Sequence, residues 1–303
     1  MTTHTGTTFV RRTPPHRSRA MTAASPTSGG TTVGPYDVHP STTRSAVAHR
    51  ARDVLQRCPN GTVLSHHTAA TLWGLWTPHE LRIHVAVPGE RYRPRRVGIA
   101  AHRLPTARTS VQVDGLPVTS VLDTLLDLAA VLSLPDLVAA VDRSCGLGLT
   151  DPSEVARYAH GHSRAGVRML RRAAQLADGR SESAMESRTR VLLCLAGYPQ
   201  PESNPTVTGG TGRRYRLDLV FWQWSIAVEY DGRHHAENSA QYASDLRRRE
   251  DLQSAHWQLV TAVAQDVYGD PEGFLDRLDR AIRAAGGTPP RRRRGWQAML
   301  GRR

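Results

Sequence analysis

Three acids stand inside an otherwise apolar stretch, "RLDLVFWQWSIAVEYDG" (216–232): Asp218, Glu229 and Asp231. Acidic residues are poor strand formers, and like charges opposed across a sheet destabilise it. Leu217, Leu219 and Phe221 alternate with Arg216, Asp218 and Val220, and Ile226, Val228 and Tyr230 alternate with Ala227, Glu229 and Asp231. Both runs keep the period of two expected of strands. A turn centred between Gln223 and Trp224 then sets Leu217 against Tyr230, Leu219 against Val228 and Phe221 against Ile226, one apolar face. The same register opposes Asp218 to Glu229 and Arg216 to Asp231, with Cβ atoms about 5 Å apart. Two carboxylates sharing one spot are costly unless a cation sits between them. A hard divalent ion, Mg²⁺ or Mn²⁺, would reverse the sign of that interaction, and an ion held by two acids suits phosphodiester hydrolysis. The alternative is that both acids point into solvent, screened by Arg216 and by arginines of the following helix.

The elements around this hairpin follow from periodicity and punctuation. "SESAMESRTRVLLCLAGYP" reads as a helix with Val191, Leu192 and Leu195 on its apolar side and Gly197 at its end. Its Ser183 and Glu186 form S-x-x-E, a capping box that needs no metal. After "NPTVT" and the hairpin come a basic helix at 240–255, the strand "WQLVTAV" and a last helix, "PEGFLDRLDRAIRAA". On the basic helix Arg247, Arg248 and Arg249 could contact phosphate. Asp245 with Arg249, and Arg247 with Asp251, also have the spacing of ordinary i,i+4 ion pairs.

Composition sets outer bounds. The 303 residues, 39% hydrophobic and 22% charged, suffice for two domains with separate cores. A net charge of +13 suits polyanionic partners such as nucleic acid, or serves solubility. There is no lysine, which excludes a P-loop lysine and Schiff-base chemistry. Cys58, Cys145 and Cys194 are scattered, without disulfide or zinc spacing. No apolar run is long enough to span a bilayer and no signal core opens the chain, so a cytoplasmic protein is expected, with no membrane partner.

Residues 1–34, rich in Thr, Ser, Pro and Gly with four arginines and no acid, read as a disordered basic segment. Residues 35–178 read as a mainly helical, winged-helix-like domain. The helices "AVAHRARDVLQRC" and "SHHTAATLWGL", the second with Ser65 as N-cap, precede strands "ELRIHVAVP" and "VGIAAHRL" joined in a basic hairpin. The helices "SVLDTLLDLAAVL", "PDLVAAVDRSC" and "PSEVARYA" follow. Arg91, Arg93, Arg95 and Arg96 crowd the hairpin loop, where they could meet a phosphate backbone or simply be solvated. His66 and His67 open a helix and are not read as ligands, because nothing nearby in sequence completes a set. Residues 179–286 read as an α/β domain, and the Arg-rich tail 287–303 as disordered.

Two resemblances add to this. "VLSHHTAATLWGL", "IHVAVPG" and "GLPVTSVLDTLLDLAA" resemble the N-terminal half of actinobacterial proteins similar to AbiEi-type abortive-infection antitoxins, over about residues 45–175. That resemblance implies a DNA-binding or regulatory module with a toxin or defence-system partner. "ESRTRVLLCLAGYP", "RLDLVF", "IAVEYDGRHH" and "DLRRREDL" look like the endonuclease-like family related to very-short-patch-repair endonucleases, in the PD-(D/E)XK superfamily, over about 182–268. It implies an α/β/α restriction-endonuclease-like core and a Mg²⁺-dependent endodeoxyribonuclease. Asp218 would be the metal-binding Asp, Glu229 the second acid and Glu186 a third ligand, with Gly232, His234, Asp245 and Arg248 as further motif positions. Asp231 takes the place of the superfamily lysine, and Thr261 stands where similar sequences often carry arginine. With no ammonium in the chain, His235 or His234 is the candidate proton acceptor, since a neutral imidazole titrates near working pH. A non-catalytic DNA-binding regulator on a degenerate nuclease fold is the competing expectation.

Overall fold

The computed structural model describes residues 40–89, 96–103, 110–232 and 239–301. The expectations placed on residues 1–34, on Arg91, Arg93 and Arg95, and on His234 and His235 lie outside them. The chain is a mixed α/β protein, with eleven α-helices among the described residues.

The first part comprises α1 (Pro40–Leu55), β1 (Val63–Leu64), α2 (His66–Trp73), β2 (Ile83–Val87), β3 (Ile99–Arg103), β4 (Ser110–Val113) and β5 (Leu116–Thr119). The strands form one sheet in the order β3-β2-β1-β5-β4. Ile83, Val85 and Val87 face a core shared with Leu64, Val118 and the α1 and α2 residues Ala48, Ala51 and Leu72. The expected basic hairpin is not formed, because β2 and β3 run parallel, with Ile83 beside Ile99 and Val87 beside Arg103. About a dozen residues separate them, the length of a crossover and not of a tight turn. Arg96 is exposed at the end of that connection, and these strands make no wing. The true hairpin is β4–β5. It turns on Asp114 and Gly115, both at positive φ (51° and 72°), the Asp-Gly pair that matches strand twist.

Four helices follow: α3 (Val121–Leu128), α4 (Leu134–Gly146), α5 (Pro152–His160) and α6 (Val167–Leu176). Ser120, Ser133 and Asp151 cap the first three through side-chain oxygens. Gly166 opens α6 at φ 83°, and a Cβ there would lie 2.7 Å from the backbone of Ala129. Ser65 sits at the N-cap position of α2 but does not cap it; its hydroxyl meets His66 Nδ1 at 3.0 Å.

The last part contains α7 (Ala184–Ala196), β6 (Glu202–Ser203), β7 (Thr206–Thr208), β8 (Arg214–Arg216), β9 (Leu219–Phe221), β10 (Ile226–Tyr230), α8 (Ser239–Ser254), β11 (Gln258–Ala262), α9 (Ala264–Tyr268), α10 (Pro271–Ala284) and α11 (Trp296–Met299). Strands β11-β10-β9-β6 make a four-stranded sheet, and β7 pairs with β8 separately. The pairs Phe221–Ile226, Val220–Ala227 and Leu219–Val228 follow the register read from alternation. Beyond Leu219 that register stops. Leu217 and Asp218 form a bend in which Leu217 N–H donates to Pro205 O (3.1 Å) and Asp218 O accepts from Asn204 N–H (2.8 Å). Leu217 therefore packs with Val207, Val220, Ala227 and Leu252 beneath α8, not with Leu219. On the opposite side Leu219, Phe221, Ile226 and Val228 join residues of α7 and α10 in the main core. Both sheet faces are buried, so period-two alternation here separates two apolar layers.

The tail, read as disordered, is packed on the fold over its described residues, 287–301. Trp296 is buried in the main core, and Arg292 ion-pairs with Glu272, Asp276 and Asp279 of α10. Arg293 N–H also donates to Ala196 O at the end of α7, at 2.9 Å. No helix among the described residues is long and apolar enough to cross a membrane.

The main core runs from α3–α6 into α7 and the second sheet, and a buried charge pair crosses that junction. Arg190 of α7, fully buried, pairs with Asp142 of α4. Asp142 also accepts hydrogen bonds from Ser187 Oγ (2.7 Å) and from the amides of Asp178 (2.9 Å) and Gly179 (3.0 Å). Burial pushes the Asp142 carboxyl up, while Arg190 and the Ser187 hydroxyl pull it down. Removing one partner strands the other charge in the core. Asp142→Ala is expected to lower unfolding free energy by about 3–5 kcal/mol in a urea titration, and a loss below about 1 kcal/mol would contradict this role.

Candidate functional site

Asp218 lies where the chain leaves β8 for β9, and the bend turns its carboxylate toward β10. Its Oδ2 accepts the Tyr230 N–H at 2.8 Å. The acid therefore meets the strand beside Glu229 through the backbone, not through the cross-strand pairing that unbroken alternation implies. Burial pushes Asp218 up to about 6, and Glu186 and Glu229 nearby push the same way. The Tyr230 amide and Arg248 oppose them.

Glu229 sits opposite Thr261 in the parallel β10–β11 ladder. Its two oxygens are gripped by Arg248 of α8, Nη1 at 3.1 Å and Nη2 in a closer contact. Arg248 Nη2 also donates to Arg216 O at 3.1 Å. The guanidinium thus ties α8 to the bend and to the second acid, and occupies the position a cation beside Glu229 would need. Glu186, in the first turn of α7, is almost wholly buried. Its amide donates to Ser183 Oγ (3.1 Å), and its Oε2 accepts Glu182 N–H (2.8 Å) and Asn204 Nδ2 (2.9 Å). It is a helix-cap residue that also reaches the strand segment preceding Asp218.

The other expected positions fall differently. Arg216 pairs with Glu182, not Asp231. Asp231 is half-buried at the end of β10, and its amide donates to Ala262 O at 2.8 Å; Gly232 beside it is exposed. Asp245 is half-buried on α8, one turn before Arg248, while Arg247 and Arg249 are exposed. Asp251 holds the Thr211 turn, accepting Thr211 N–H (2.8 Å) and Oγ1 (2.9 Å), instead of the helix pair with Arg247.

A second cluster was not read from the sequence. Among the described residues, the only three His, Cys, Asp or Glu side chains whose ligand atoms all lie within 4.8 Å of one another are His66, His84 and His102. Two consequences follow. Glu186, Asp218 and Glu229 do not form such a set in this arrangement. The expectation that nothing completes a set with His66 is also overturned, because β2 and β3 bring His84 and His102 to it. Burial pushes His84 down to about 4, leaving a neutral imidazole.

The class this geometry defines is a mixed α/β protein with a carboxylate pair on its four-stranded sheet and a histidine cluster on its five-stranded one. Two Mycobacterium tuberculosis proteins are similar to it: Uncharacterized protein MT2308 of strain CDC 1551 / Oshkosh and Uncharacterized protein Rv2248 of strain ATCC 25618 / H37Rv. Each is 32% identical over 216 residues, which is 71% of this chain and 79% of the relative. The chain belongs to the same family as these two proteins. No family model matches it, and no solved structure does.

The raised pKa of Asp218 has a measurable consequence. Its folded value of about 6 lies above the ordinary 3.8, so the folded chain holds the extra proton in that window and stability falls as pH rises through it. At about 1.4 kcal/mol per tenfold, the loss at neutral pH is on the order of 3 kcal/mol. Asp218→Asn keeps an acceptor for Tyr230 N–H and removes the charge. Its stability relative to wild type, from urea unfolding, is expected to improve from about pH 4 to about pH 7.5; a difference independent of pH would contradict the assignment.

Proposed function

We propose that the chain is a divalent-cation-dependent nuclease that hydrolyses phosphodiester bonds in DNA, with a restriction-endonuclease-like α/β/α core in residues 179–286. The observation that carries this reading is that Asp218, bonded to the Tyr230 amide next to Glu229, feels the Glu229 charge at one end of the four-stranded sheet. One acid is held toward its neutral form by burial and then by the nearby Glu186 and Glu229, and the other is held by an arginine in a cation's place. The element order supports it: α7, five strands of which β6, β9 and β10 belong to the four-stranded sheet, the crossover helix α8, then β11 parallel to β10. So do the net charge of +13 and the endonuclease-like motifs around these acids.

Asp218 and Glu229 would hold Mg²⁺ or Mn²⁺, which supplies the charge that polarises a phosphoryl oxygen and acidifies bound water. Arg248, released from Glu229, is placed to meet a phosphate oxygen of the substrate. Glu186 acts behind them, fixing Asn204 and with it the bend that aims Asp218. Asp231 follows Glu229 by two residues in the lysine's place, so proton transfer falls to it or to His235. Arg96 and the neighbouring loop arginines would extend the phosphate contacts. The AbiEi-like first part suits a regulatory role alongside a defence-system partner in the cytoplasm.

The second reading, a non-catalytic DNA-binding regulator, is favoured by one observation. Arg248 already satisfies Glu229 through both oxygens, as in a retired metal site used for structure. A plasmid-cleavage assay separates the two. The nuclease reading expects cleavage that requires Mg²⁺ or Mn²⁺ and falls by more than about 100-fold in Asp218→Ala, beyond the usual cost of losing an outer-shell partner. Salt-sensitive DNA binding without cleavage, unchanged in Asp218→Ala, would establish the regulator instead.

A further inference from the structure

The histidine cluster belongs to no part of the proposed nuclease site, and its geometry is that of a metal centre. His66 is the first residue of α2, while His84 and His102 lie on the paired strands β2 and β3. On β2 the neighbours Ile83 and Val85 turn into the core, so His84 faces the opposite side of the sheet. His84 Nδ1 and His102 Nε2 face each other at 3.0 Å. Two imidazole nitrogens on a tetrahedral zinc ion, with bonds near 2.0–2.1 Å, stand about 3.3 Å apart. A proton shared between these rings occupies nearly the space an ion would.

Carboxylates stand near the outward nitrogens: His66 Nδ1, which meets Ser65 Oγ at 3.0 Å, lies 3.7 Å from Asp127 Oδ2, and His84 Nε2 lies 3.7 Å from Glu80 Oε2. Metal-bound imidazoles characteristically present their second nitrogen to a carboxylate, which fixes the tautomer and raises ligand basicity. His84 Nε2 is buried with no hydrogen-bond partner, a costly state that a shift toward Glu80 on metal binding would relieve. His66 is also held at φ 50°, a conformation a non-glycine residue rarely adopts, and such positions concentrate at functional sites. Its ring stacks on His102 with centroids 3.6 Å apart, and a ligand nitrogen of each of the three rings lies within 4.8 Å of the others. A cavity of about 450 Å³, lined by His67, Glu80, Arg82, His84, His102 and Asp136, leaves one side of the cluster open to a further ligand.

We propose that His66, His84 and His102 bind a borderline transition-metal ion of the zinc class, with Asp127 and Glu80 behind the ligands and a coordination position open to the cavity. Neutral imidazoles favour such an ion over Mg²⁺, so this site is chemically distinct from the carboxylate pair. It would clamp the edge strand β3 to β2 and to the start of α2.

The test uses the full chain, stripped with a chelator and titrated with ZnCl₂ by calorimetry, and in parallel with Co²⁺ followed by visible absorption. Expected are about one zinc per chain and the strong d–d bands of tetrahedral Co²⁺. Affinity should fall by more than about 100-fold in His84→Gln and His102→Gln and by about 10-fold in Glu80→Gln. Should a histidine variant fail to fold, the wild-type Co²⁺ spectrum decides alone: the weak bands of the octahedral aqua ion would overturn the proposal. So would the absence of stoichiometric zinc, or equal zinc uptake by wild type and a folded His102→Gln chain. The cluster would then be a hydrogen-bonded histidine network only.

Discussion

The crowding of acids at one end of the four-stranded sheet is the constraint on which the site and its supporting elements depend. Asp218 is half-buried near Glu186 and Glu229, and partial burial with like charge disfavours its ionised form. The fold offsets this with the Tyr230 amide and with Arg248, whose guanidinium spans Glu229 and the carbonyl of Arg216. Arg248 can do so because α8 is fixed to the sheet through Leu252, packed on Leu217, Val220 and Ala227. Glu186 is fixed because α7 is locked to α4 by the buried Arg190–Asp142 pair. Electrostatics at the site and packing far from it are therefore one problem.

Much of the second sheet was legible. The turn and three of the strand pairs followed from alternation, since a short loop leaves a period-two pattern few other registers. The break at Asp218 was not legible, because it is made by backbone hydrogen bonds to Asn204 and Pro205, outside the hairpin. Nor was the burial of both faces, because Val220 and Ala227 look like the lesser side of an alternating strand until α8 covers them. The tail misled by composition. Its composition read as disorder, yet Arg292 has three acids waiting on α10, and Trp296 supplies a buried anchor.

The first sheet shows the limits of local reading more sharply. Ordering β2 and β3 as a hairpin was the economical choice, and their parallel pairing reversed it. That same pairing creates the histidine cluster, whose members lie far apart along the chain and share no motif spacing. The available signal was weak: in "RIHVAV", His84 alternates against Ile83 and Val85 and so must leave the core face. The result is a chain with two unlike side-chain groupings, hard carboxylate oxygens at one sheet and borderline imidazoles at the other.

The central claim is that Arg248 stands where a divalent cation would sit between Asp218 and Glu229. Mn²⁺ binding followed by electron paramagnetic resonance tests it most directly, in a His84→Gln background that removes the imidazole cluster. The account predicts about one bound Mn²⁺ per chain, tightened by Arg248→Gln, which ends competition for Glu229, and abolished by Asp218→Asn. Mn²⁺ binding that is equal in the parent and Asp218→Asn chains, or weakened by Arg248→Gln, would contradict it.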